Sequence, residues 1–115
     1  MNKLYEAPFS GVYPAYVNKV TRKGRSEEEL REVITWLTGL NEKSLQSHLK
    51  KQTSLEDFFK ASKINPNASQ ITGTICGVKI QEIKDPLMLK IRYLDKLVDE
   101  LAKGRPMEKI LRSGK

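Results

Sequence analysis

Leu87, Ile91, Leu94, Val98 and Leu101 recur at intervals of four, three, four and three. Only a helix gathers such positions on one face, because 3.6 residues per turn put i, i+3, i+4 and i+7 side by side. A pleated strand would scatter them over both of its faces. The stripe opens on Asp85-Pro86, an N-cap residue followed by an imino acid whose missing N–H is not needed in a first turn. It closes before Gly104 and Pro106, and Leu89, Tyr93 and Leu97 widen it on other faces. A long amphipathic helix over 86–103 is expected, with a core made mainly of helices. A heptad-like stripe also fits a self-associating seam, so a homodimer through this helix stands beside burial in the chain's own core.

The same punctuation recurs upstream. Ser26 and Glu29 have the spacing of a capping box, ahead of an apolar stripe of Leu30, Val33, Ile34 and Leu37 that Gly39 ends. Tyr13, Tyr16, Val17 and Val20 mark an earlier helix with Pro14 in its first turn and Gly24 as its stop. Residues 1–10 read as irregular, with Leu4, Tyr5 and Phe9 available to pack. A third helix begins after Asn41 and runs to about Lys51, with Leu45 and Leu49 inward. Thr53 and Glu56 repeat the capping-box spacing before Leu55, Phe58 and Phe59, and Asn65-Pro66-Asn67 breaks the pattern.

Residues 68–84 are rich in β-branched side chains and carry Gly73 and Gly77. A short hairpin, or a bent helix followed by an extended stretch, both fit, with 78–83 the better extended candidate. A last short helix is expected over 107–112, and 113–115 read as irregular. The fold class is therefore mainly α, five or six short helices around one core. A small β element near 74–83 would make it α+β. At 115 residues the chain is expected to be one domain, 1–115.

Charge bounds the partners. The net charge is +7, from 21 basic and 14 acidic residues. Lys19, Arg22, Lys23 and Arg25 have no acid among them, and Lys103, Arg105, Lys109, Arg112 and Lys115 have only Glu108. Such clusters attract phosphates or acidic partners, and equally serve as a soluble surface. Aromatics are 7% of the chain, few for stacking single strands. No apolar run approaches the roughly 20 residues of a membrane span, and no signal pattern opens the chain, so a cytoplasmic protein without membrane contact is expected. One cysteine excludes an internal disulfide.

The stretches VYPAYVNK (12–19), KGR (23–25), ITWLTGL (34–40), NPNAS (65–69), ITGTICG (71–77), DPLMLKIRYLDKLVDELAKG (85–104) and MEKIL (107–111) resemble a family of small prokaryotic hypothetical proteins, domain of unknown function 2200. The resemblance covers residues 4–112. It implies a compact cytoplasmic protein and no particular activity.

Little in the chain suggests catalysis. Cys76 and His48 are the sole cysteine and histidine, 28 positions apart, and Cys76 between Ile75 and Gly77 reads as a small buried hydrophobe. One of each falls short of a zinc site, so no metal, cofactor or catalytic residue is assigned. Glu27, Glu28 and Glu29 suit a helix N-terminus, and Asp95, Asp99 and Glu100 have Arg92, Lys96 and Lys103 near enough to pair with. TGTICG lacks the spacing of a phosphate-binding loop. Trp36 lies off its helix's main stripe, fitting either a broad core or a partner groove.

The expected function is a non-enzymatic binding or adaptor module with an unidentified partner, either another protein or a second copy. The alternative is nucleic-acid binding through a helix-turn-helix-like pair at 26–51. There the turn TGLN lets Ile34, Leu40 and Leu45 face inward, with Thr38 and His48 less well suited to burial. Lys43, Gln46, Lys50 and Lys51 would then face phosphate or base edges. The candidate anion-binding residues are Lys19, Arg22, Lys23, Arg25, Lys43, Lys50 and Lys51.

Overall fold

A computed structural model describes residues 3–75 and 77–112; Cys76, residues 1–2 and 113–115, and the side chains of Lys3 and Leu4 lie outside the described residues. The long helix is α5 (Pro86–Ala102), with the Asp85 carboxylate accepting the Leu87 and Met88 N–H groups. Its stripe is the spine of the molecule. Ile91, Leu94, Leu97, Val98 and Leu101 are all buried, against α1 (Phe9–Thr21), α2 (Glu27–Thr38) and α4 (Leu55–Lys60) among others. The chain's own helices thus cover the stripe, as the core reading expects.

α2 has the expected capping box: Ser26 accepts from the Glu29 N–H, and the Glu29 carboxylate accepts from the Ser26 N–H. Gly39 ends α2 at φ 72°, where a Cβ would lie 2.8 Å from the Lys63 carbonyl oxygen, so both backbone conformation and space call for glycine. α3 (Glu42–Lys51) follows, capped by Asn41, and packs on α1 and α2.

Four sequence expectations need correction. Within the stretch 1–10 expected to be irregular, the described residues 3–10 are not: a 3₁₀ turn covers Lys3–Glu6 and α1 begins at Phe9, so Pro14 lies inside the helix. Tertiary contacts override the proline signal. Phe9 is buried and stacks on Phe58 at 4.0 Å, while its N–H donates to Thr53 O and Leu55 N–H donates to Ala7 O. The cap of α4 is Ser54, accepting from Asp57 N–H, not Thr53 with Glu56. Thr53 Oγ1 is engaged instead with His48 Nδ1 at 3.0 Å.

The third correction concerns 78–83. The region forms a hairpin of β1 (Thr74–Ile75) and β2 (Val78–Lys79), antiparallel with Thr74 opposite Lys79 and Ile75 opposite Val78. Extension stops there. A 3₁₀ turn over Ile80–Glu82 swings Ile80 into the core, where its N–H donates to Gly73 O. Finally, α6 (Met107–Ile110) is shorter than the expected 107–112, because Arg112 bends back to donate to Ile110 O and to the Glu100 carboxylate. The result is mainly helical with a small two-stranded sheet, around one contiguous core to which every α-helix contributes. Each large side chain in that core contributes roughly 1.5–3 kcal/mol.

Candidate anion-binding surface

The seven cations nominated from sequence separate into two groups. In the first, Lys19, Arg22, Lys23 and Arg25 surround the end of α1. Lys19 Nζ lies 3.4 Å from Asp99 Oδ1, and Lys103 approaches the same carboxylate at 3.0 Å. Burial works against the charged form of Asp99, yet Lys103 and Lys19 together hold its carboxyl below the usual range. Arg25 is a structural fork. Its Nε and Nη2 bind the two oxygens of Glu29, and Nη1 donates to the carbonyls of Leu101 and Arg105, at 3.3 and 2.8 Å. The Arg25 hydrogen bonds, helped by the Ser26 N–H, pull the Glu29 carboxyl down to about 2. Arg25 is thus tied into the fold, while Lys19, though paired with Asp99, still lines the groove of this first group. Arg22 and Lys23 remain exposed in a shallow groove with Ala15 and Asn18, without an ion pair among the described residues.

The second group lies on α3. Leu45 is fully buried and Leu49 half-buried, which turns Lys43, Ser47 and Lys50 to the opposite side. Lys43, Gln46, Ser47, Lys50 and Lys51 line one shallow groove. None of these lysines has an ion pair among the described residues.

What keeps the groove clear of acid is a residue that sequence reasoning missed. Arg31, on α2, donates to Glu42 at 2.9 Å and to Gln46 at 3.3 Å, and pairs with Glu27 at 3.3 Å. Its Nε also donates to the Tyr13 hydroxyl, which itself donates to Glu27 at 2.6 Å. Burial, then the Glu27 hydrogen bond, push the Tyr13 phenol well above its ordinary value, so it stays a neutral donor. The Tyr13 bond, more than Arg31, keeps Glu27 ionised below its normal range. The i,i+4 pair Glu27/Arg31 was visible in the sequence; the Tyr13 and Glu42 contacts, on other helices, were not.

The remaining candidates have structural partners. Asp95 accepts from Tyr16 and Arg92, and Lys96 donates to Thr74 O on the hairpin. Glu100 is 6% exposed; Arg105 and Arg112 both meet its Oε2, while Oε1 is buried without a partner among the described residues. No group of three metal-ligating side chains forms among the described residues. His48 is held by Thr53 and the edge of Phe58, and Trp36 is partly buried against the core. In the pair at 26–51, Ile34, Leu45 and also Thr38 are fully buried, the Thr38 hydroxyl donating to Ile34 O, and Leu40 is partly buried. Among the described residues no helix is long and apolar enough to cross a membrane.

A family described as "Uncharacterized protein conserved in bacteria (DUF2200)" matches residues 3–112. The crystal structure of uncharacterized protein SP1917 is similar at 45% sequence identity and a TM-score of 0.90, covering 96% of this chain and 93% of that one. No curated protein matches.

Proposed function

The chain belongs to the DUF2200 family of uncharacterised bacterial proteins, and from that premise we propose that it is a non-enzymatic binding module whose contact surface is the outward face of α3 and whose partner is anionic. One observation carries the reading. Lys43, Lys50 and Lys51 share a groove and stay unpaired among the described residues, while Arg31 holds the neighbouring Glu42. Helix electrostatics account for only part of this. Lys50 and Lys51 suit the negative end of α3, but Lys43 sits in the first turn, where a cation is disfavoured. An apolar partner is less well matched, since Val78 alone among the described residues is a large exposed hydrophobe. A cytoplasmic setting goes with this reading.

The test is retention on a sulfated polysaccharide resin. Replacing Lys43, Lys50 and Lys51 by Gln is expected to lower the eluting salt far more than replacing the exposed Lys79, Lys84 and Lys109, which removes the same charge. Equal elution of the two triple variants would show that net charge alone is read, and would sink the proposal.

A further inference from the structure

We infer that the occupant of the α3 face is the phosphate backbone of a nucleic-acid duplex; this rests on the anionic-partner reading above. Three features of the face select this occupant. First, its charges are all lysines, with Gln46 and Ser47 between them. Lysine is depleted at the centre of protein–protein interfaces, where aromatic and apolar anchors supply most of the affinity. This face has no such anchor, because Leu45 is buried and Leu49 packs on the core. An acidic protein or a membrane surface would both want one.

Second, the face has no ring on which a splayed base could stack, which separates duplex from single strand. Tyr5, Tyr16, Trp36 and Tyr93, elsewhere, pack against the core. Third, the dimensions fit. The 10 residues of α3 span about 15 Å, and a helix of ordinary diameter enters a major groove about 12 Å wide. Lys43 and Lys50 are two turns apart, so they reach phosphates at separate points, with Ser47 between them and Gln46 turned toward Arg31. Fixed by α1 and α2 on its inner side, α3 presents this row without reorganisation.

With each lysine neutralising one phosphate, the logarithm of affinity should fall with the logarithm of salt at a slope of about −2.7. Binding should then weaken about 40-fold between about 50 and 200 mM salt.

The experiment is fluorescence anisotropy with the whole chain and three labelled probes: a mixed-sequence duplex, one of its strands, and polyglutamate. The duplex should bind tightest, with that slope. Lys50→Gln should make the slope shallower by about 0.9, and the triple Gln variant should lose duplex binding while unfolding at the same temperature as the parent. Polyglutamate or the single strand binding as tightly as the duplex would overturn the inference. So would a slope that Lys50→Gln leaves unchanged. Retention on the sulfated resin without duplex binding at about 50 mM salt would overturn the duplex and leave the anionic reading standing. Loss of both would end the two together.

Discussion

The two basic clusters have similar composition and opposite fates. Lys19 to Arg25 is the denser in sequence, four cations within seven positions and no acid among them. In the fold it is the more consumed. Asp99 takes Lys19, and Glu29 with two carbonyls of the α5–α6 region takes Arg25. The α3 lysines are more scattered and have Glu42 beside them, yet they remain unpaired among the described residues because Arg31 engages that acid. Charge density along a chain is thus a poor guide to charge density on a surface. What decides is which acids lie across the helix seams.

The sharpest way to break this contrast is Arg25→Ala. Arg25 has a side chain only 15% exposed and joins the start of α2 to the end of α5. Its loss is expected to cost about 3 kcal/mol in urea unfolding and to leave duplex binding unchanged. A cost under about 0.5 kcal/mol, the size of an ordinary surface change, would mean the first cluster is surface after all.

The same fork predicts an acid limb. The Glu29 carboxyl lies near 4.5 when unconstrained and is held at about 2 in the folded chain. A depressed folded value means the contribution is complete above about 4.5 and disappears as pH falls toward about 2. Thermal unfolding followed between those limits should show a decline, shallower in Arg25→Ala.

A smaller effect is expected at Gln52, which ends α3 at φ 55° and is the one non-glycine residue at positive φ among the described residues. Gln52→Gly should raise stability by about 0.5–1 kcal/mol with the salt slope of binding unmoved. Smallest of all are the lysines. Lys19→Ala removes an exposed pair worth about 0.5 kcal/mol. The triple change at Lys43, Lys50 and Lys51 should fall within about 0.5 kcal/mol of the parent. A larger loss would show that α3 uses these side chains to stand.

Helix positions were largely legible in the sequence because caps and apolar periodicity act within one turn. Ser26 with Glu29, Asn41, and Asp85-Pro86 all start helices where their chemistry says they should. Failures came where a distant contact outweighed a local signal. Pro14 has the chemistry of a helix start, but the stacking of Phe9 on Phe58 draws the helix further back. Thr53 has the spacing of a cap, but His48 occupies its hydroxyl. The candidate surface was half legible for the same reason. Helical spacing places Lys43 and Lys50 on one side of α3, whereas nothing near Arg25 in sequence announces the carbonyl of Arg105.

Glu100 bears on the order of events during synthesis. Its carboxylate is buried in α5 and is met by Arg105 and Arg112, five and twelve positions later. Until Arg112 has been translated and has left the ribosome, a charge must be either kept wet or buried half-answered. The α5 seam is therefore sealed by side chains from beyond the helix, and a chain lacking Arg112 would hold Glu100 against Arg105 alone.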